Sequence, residues 1–203
     1  MSDQDFPAKI FYVVGASGSG KDSLIRYFRD HLAEATPKTL TAHRYITRQD
    51  SQNEDSIYLT EKEFSERNQH ALFSLAWRAN GLHYGIGVEL DHWLGMGFSV
   101  IVNGSREYLP TAKAKYGDSL HSVLIEVPEA ILKQRLETRA RESSSAIESR
   151  LARHRKLNQL IPCDSRVMNT DSIAEGAEKF RYIIHSNRQP GIGCARQTGT
   201  KQR

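Results

Sequence analysis

The 203-residue sequence predicts an α/β fold, a three-layer α/β/α domain around a central parallel sheet, and three observations carry that prediction. A glycine-rich stretch, Gly15-Ala16-Ser17-Gly18-Ser19-Gly20-Lys21-Asp22-Ser23, follows the apolar residues 10–14 and precedes a helical pattern. This is the strand, loop, helix order of a phosphate-binding loop. Two further apolar runs, 98–103 and 120–127, are continuous rather than alternating, as strands covered on both faces are. Each is followed by a helical run, and strands alternating with helices build a parallel sheet.

Taken in order, residues 9–14 form the first strand and residues 20–34 the first helix. Residues 39–85 are a mixed region of short polar and aromatic segments. The strand at 98–103 leads to a helix over 108–116, and the strand at 120–127 leads to a helix over 130–141. Residues 148–160 and 173–184 read as further helices with a short strand at 165–168 between them, and no internal repeat is evident. In such a fold a nucleotide sits at the carboxyl ends of the strands.

Composition is that of one soluble domain, with 38% hydrophobic and 26% charged residues. No run reaches the roughly 18 apolar residues a membrane helix needs, and the first residues lack the basic-then-apolar order of a signal peptide. A cytoplasmic protein with no membrane partner is expected. Cys163 and Cys194 lie far apart without metal-ligand or disulfide spacing. The formal charge of +4 resides in residues 186–203, where Arg188, Arg196, Lys201 and Arg203 have no acidic neighbour. That tail reads as a disordered basic end. With the body neutral, no basic stripe remains for nucleic acid, which is excluded as a partner.

The glycines let backbone N–H groups of residues 15–23 converge on a polyphosphate, aided by the positive end of the following helix. Lys21 supplies the ammonium for the β- and γ-phosphates of a nucleotide. Asp22 departs from the usual Ser or Thr, whose hydroxyl helps hold Mg²⁺. Three roles are open to it: coordinating magnesium through water, capping the helix while Ser23 approaches the metal, or repelling a wrongly placed phosphate.

Beyond the loop, Tyr45-Ile-Thr-Arg48, Ile57-Tyr58 with Glu63-Phe64, and Gly81-Leu-His-Tyr-Gly85 follow one another in a telling order. With Arg135-Leu-Glu-Thr-Arg139, Ile147-Glu-Ser-Arg150-Leu151 and Val167-Met-Asn169, they resemble the guanylate-kinase-like nucleoside monophosphate kinases over about residues 9–185. The resemblance implies a P-loop kinase with a small acceptor-binding insertion at about 39–85 and a helical lid at about 139–150. Asn169 would lie near the adenine of ATP. Arg48 would bind the acceptor phosphate, with Tyr45, Tyr58, His83 and Tyr84 around it. Lys21, Arg139 and Arg150 would be catalytic. Arg135, Arg141 and Arg153 are assigned instead to a helical face paired with glutamates.

Departures from guanylate kinase concern the base. Leu75 stands where a glutamate would read guanine, and an apolar side chain cannot make those hydrogen bonds. The second arginine of the acceptor segment is missing from residues 49–54. Asn103, in Val-Asn-Gly-Ser-Arg106, replaces an aspartate that touches the acceptor nucleotide. These features resemble the ribose 1,5-bisphosphate phosphokinases of bacterial phosphonate utilisation. That family implies ATP, Mg²⁺ and ribose 1,5-bisphosphate as ligands and 5-phospho-α-D-ribose 1-diphosphate as product. Arg106, following a strand's carboxyl end, reads either as a residue for the second phosphate or as a surface arginine at a helix start. Self-association into a homodimer is compatible with the sequence. The rival readings are a guanylate or other nucleoside monophosphate kinase, and a non-catalytic guanylate-kinase-like module that binds peptides.

Overall fold

The computed structural model describes residues 7–31, 34, 36, 38–49, 56–138, 144–160, 162–170 and 172–187. Within it a five-stranded sheet has the order β2-β7-β1-β8-β9, and every neighbouring pair is parallel. Its strands are β1 (Ile10–Gly15), β2 (Thr39–Thr41), β7 (Ser99–Asn103), β8 (Leu120–Glu126) and β9 (Ser165–Met168). The central, parallel sheet flanked by helices is the arrangement expected from the apolar runs.

Side chains of adjacent strand residues point to opposite faces, so β1 feeds two cores at once. Ile10, Tyr12 and Val14 pack with Val100, Val102, Leu120 and Leu124 on one face. Phe11 and Val13 pack with Ile101, Val123 and Ile125 on the other. The second core is closed by Leu24 and Phe28 of α1 (Lys21–His31) and by Phe180 and Ile184 of α7 (Ile173–Ser186). Helix α7 starts with a full capping box, Ser172 and Glu175 each satisfying the other's backbone N–H.

The mixed region resolves into a second, four-stranded sheet of order β4-β3-β6-β5. It comprises β3 (Arg44–Ile46), β4 (Ser56–Tyr58), β5 (Phe73–Ala79) and β6 (Leu82–Gly87), with α2 (Glu61–Gln69) between β4 and β5. Asn80 and Gly81, both at positive φ, form the two-residue turn joining β5 to β6, the Asn-Gly pairing that matches the twist of a hairpin. Leu75, Trp77 and Ile86 of this sheet enter the same core as Ile10, Tyr12 and Val14. The two sheets are therefore held together by shared packing rather than by a linker alone.

Helix α3 (Glu89–Gly95) is not anticipated by the sequence reading, being too short to show a helical repeat. Helices α4 (Leu109–Tyr116), α5 (Glu129–Thr138) and α6 (Ser144–Leu160) fall where expected, with α6 beginning one turn earlier than its apolar pattern. Among the described residues no helix is long and apolar enough to cross a membrane. Cys163 is half-buried and its thiol is pushed up by burial, whereas Cys194 and residues 188–203 of the tail lie outside the described residues; the first two tail residues belong to the end of α7, Ser186 as its last residue and Asn187 as its cap.

Candidate active site

The phosphate-binding loop emerges from the carboxyl end of β1, next to the ends of β7 and β8. Gly18 and Gly20 take φ of 91° and 87°, backbone that a side chain would strain. Ser19 donates its amide to the Ala16 carbonyl at 3.1 Å, tightening the turn. Asn169, which follows β9 and is 3% exposed, donates Nδ2 to the Ser19 carbonyl at 2.8 Å. Behind it, the Arg135 guanidinium donates to the Asn169 carbonyl at 3.2 Å. Arg135 thus braces the loop through Asn169, a correction to its assignment as a surface partner of glutamates. Glu148 instead approaches Lys133 at 4.0 Å.

Two helices, α5 and α6, pack on the loop. Ala16 packs with Leu132 and Leu136 of α5 and with Ile147 and Leu151 of α6. This apolar contact brings Arg150 over the loop, where its Nη1 donates to the Ser17 hydroxyl at 3.1 Å. Lys21 Nζ reaches back to the Ala16 carbonyl at 3.4 Å. Arg139, expected beside these two, lies outside the described residues.

A cleft of about 760 Å³ opens in front of the loop. Its walls carry six cationic side chains, Lys21, Arg26, Arg44, Arg48, Arg106 and Arg150, against two carboxylates, Asp22 and Glu107. The excess of cationic over acidic side chains gives the cleft a positive field that favours a ligand of high negative charge. One wall is aromatic: Trp77 stacks on Tyr84 and on Tyr108, with ring centroids 5.6 Å apart in each case. The Tyr12 hydroxyl is held by the Ser105 amide at 3.0 Å, fixing the turn after β7 from which Arg106 enters the cleft.

Asp22 is the hub of the site. Its Oδ1 accepts from Arg44 Nη2 at 2.9 Å and from Asn103 Nδ2 at 2.5 Å. Burial alone would raise its pKa, yet Lys21, Arg44 and the Asn103 hydrogen bond together hold the carboxyl below its ordinary value. The group therefore stays ionised and separates two cations that would otherwise repel.

Strand alternation sorts the acceptor residues. Ile46 is paired with Tyr84, and Tyr84 with Trp77, so these side chains share a face with Arg44 at the start of β3, while Arg48 follows the strand's end. Arg48, Tyr84 and Arg106 accordingly line the cleft. Tyr45 and His83 point to the opposite face, against Phe73 and Phe64 respectively. Tyr58, on the edge strand β4, is 45% exposed and outside the lining. Asn103 meets the site through Asp22, while Ser19 and Asn169 serve the loop from beneath rather than from the cleft wall. Leu75 is 1% exposed within the core and presents nothing to a base. Sequence reading missed Arg44 and Arg26. Alternation back from Ile46, which pairs with Tyr84, places Arg44 on the same face, but that pairing is not readable from the sequence.

The chain is 44% identical over 181 residues to ribose 1,5-bisphosphate phosphokinase PhnN of Enterobacter lignolyticus (strain SCF1), covering 88% of this chain and 93% of that one. It is 45% identical over 164 residues to the protein of the same name from Pectobacterium parmentieri (strain WPP163), covering 80% and 86%. Among solved structures, guanylate kinase from Anaplasma phagocytophilum shares the fold with a TM-score of 0.68 at 14% identity, over 92% of this chain and 90% of that one. No family model matches the chain.

Proposed function

The chain belongs to the ribose 1,5-bisphosphate phosphokinase family, and from that premise we propose that it moves the γ-phosphoryl group of ATP onto the 1-phosphate of ribose 1,5-bisphosphate. The products are ADP and 5-phospho-α-D-ribose 1-diphosphate. It is a phosphotransferase whose acceptor is itself a phosphate, working in the cytoplasm. The observation that carries the reading is the convergence, in one cleft, of the loop lysine with arginines from the acceptor sheet and the lid.

A phosphate acceptor is already ionised at neutral pH, so no base is required, and the obstacle is bringing two anions into line. The cleft answers that obstacle with cations. Lys21 follows the charge that develops between the transferred group and ADP, an interaction that strengthens in the transition state. Arg150, seated above Ser17, closes over the transferred group, and planar guanidinium donors suit phosphoryl oxygens. Arg48 holds the acceptor phosphate. The apolar packing of α5 and α6 on Ala16 limits access of water, which predicts slow hydrolysis of ATP without acceptor.

Among the described residues no group of three or more His, Cys, Asp or Glu could cage a metal by itself. That fits magnesium, which keeps several waters and takes one or two protein oxygens beside substrate phosphates. Ser23 directly, or Asp22 through water, both in the first turn of α1, would hold it. When bound, the ion neutralises charge on the β- and γ-oxygens.

The test is product identification. Enzyme, ATP, Mg²⁺ and ribose 1,5-bisphosphate, followed by phosphorus NMR, should yield a diphosphate resonance on the pentose and ADP. Parallel reactions with GMP and AMP should give no nucleoside diphosphate. Turnover of GMP in preference to the pentose would overturn the reading. A chain that bound no ATP with magnesium would point to a peptide-binding module.

A further inference from the structure

Building on this acceptor assignment, we propose that Arg44 is the specificity-determining residue that binds the acceptor's second, non-reacting phosphate, and that Asp22 and Asn103 are positioning residues that aim it. Arg44 reaches the cleft from β3, only 14% of its side chain exposed, its guanidinium 5.9 Å from the centre of the Tyr84 ring. A guanidinium carries five N–H donors in a rigid plane, so fixing one Nη on Asp22 fixes where the others point. Asn103 holds the same carboxylate oxygen, and thereby the orientation of the pair.

The position distinguishes this phosphate from the reacting one. Asp22, Arg26 and Arg29 recur at i, i+4 and i+7 on one face of α1, and with Arg44 and His43 they border a small cavity of about 30 Å³. That cavity shares Asp22, Arg26 and Arg44 with the large cleft but is lined by neither Lys21 nor Arg150. An acceptor with phosphates at both ends of a pentose needs cations at two places; Arg44 on β3 and Arg48, two residues beyond its end, offer them, with Arg106 also in the lining.

This gives a physical reason for aspartate at position 22. A serine or threonine hydroxyl carries no charge to hold a guanidinium beside the loop lysine. A carboxylate offsets the repulsion between Lys21 and Arg44 and ties the acceptor sheet to the nucleotide loop.

The experiment uses half-acceptors as competitive inhibitors of ribose 1,5-bisphosphate turnover. Ribose 5-phosphate carries only the non-reacting phosphate, and ribose 1-phosphate only the reacting one. In Arg44→Ala, the Ki of ribose 5-phosphate should rise roughly 10- to 100-fold, the scale of a hydrogen bond to a charged group. The Ki of ribose 1-phosphate should move by less than about threefold, and the KM for ATP should hold, showing an intact fold. Arg44→Lys should recover part of the loss. Asp22→Asn should shift the ribose 5-phosphate Ki in the same direction, with little further effect when combined with Arg44→Ala. Equal losses for both half-acceptors, independent effects in the double variant, or no inhibition of the unaltered enzyme by ribose 5-phosphate would each overturn the proposal. Absence of ribose 1,5-bisphosphate turnover in the unaltered enzyme is a separate outcome that strikes the function itself.

Discussion

Replacing Gly20 by alanine isolates how much of nucleotide binding depends on the loop's backbone. Gly20 has φ of +87°, and a Cβ there would lie 2.5 Å from Asn169 Nδ2. The backbone cost of a side chain at positive φ is about 1–2 kcal/mol. Asn169 is only 3% exposed and is held in place by its own hydrogen bond to the loop. Moving it therefore breaks its bond to the Ser19 carbonyl, and leaving buried partners unmet adds about 1–3 kcal/mol. The total is roughly 2–5 kcal/mol, and if the loop escapes by opening, ATP affinity falls roughly 30- to several-thousand-fold. Calorimetric titration with ATP and Mg²⁺ measures this, with urea unfolding as the control for global stability. Gly81→Ala provides the comparison: its φ is +78° but nothing lies within 4 Å of the added Cβ. It should lose about 1–2 kcal/mol of stability and no ATP affinity. Removing the Asn169 amide as well, in Gly20→Ala/Asn169→Ala, should cost less than the sum of the single changes, because the clash is absent. ATP affinity of Gly20→Ala within about threefold of the unaltered protein would refute the reasoning.

Three further outcomes are expected. Phe180→Ala removes a fully buried ring that meets Phe28 edge-on at 5.5 Å, so urea unfolding should show a loss of about 3–5 kcal/mol. Arg150→Ala should lower kcat on the order of 10²- to 10³-fold, with the KM for ATP changing far less, because the contact gains strength in the transition state; a change confined to KM would contradict that role. Asp164 offers a pH test: burial alone would raise its pKa, but hydrogen bonds from the Ser122 hydroxyl and amide, and Lys113, hold it down at about 2 from 3.8. Since the folded value is depressed, its contribution is complete above the unfolded pKa and vanishes as pH falls toward 2. Stability measured by urea across that acid window should fall less steeply in Asp164→Asn.

Features encoded in contiguous residues were legible in the chain. The run from Ile10 to Ser23 specifies strand, turn and helix because glycine supplies the positive φ and the apolar strand must be buried on both faces. The order of strands and helices after residue 98 follows from hydrophobic period alone, and the apolar Leu75 stands where the resemblance to guanylate kinases expects a base-reading carboxylate. The family's motifs also named Arg48, Tyr84, Arg106 and Arg150 as candidates, and all four reach the cleft or its loop.

What the chain did not disclose are relations between segments far apart in sequence. Asp22 and Asn103 meet across 81 positions, Asp22 and Arg44 across 22, and Ser19 and Asn169 across 150. Nothing local marks those pairs, since parallel strands bring their carboxyl ends together only when the sheet closes. The face on which a tyrosine or histidine of the acceptor sheet stands depends likewise on pairing register, where a shift of one residue exchanges the two faces. Sequence determined that this loop has the glycine-rich backbone and the lysine suited to a phosphate-rich ligand. Only the folded sheet decided which arginines surround it, because period-two alternation and long-range pairing, not residue identity, choose the side chains that face inward.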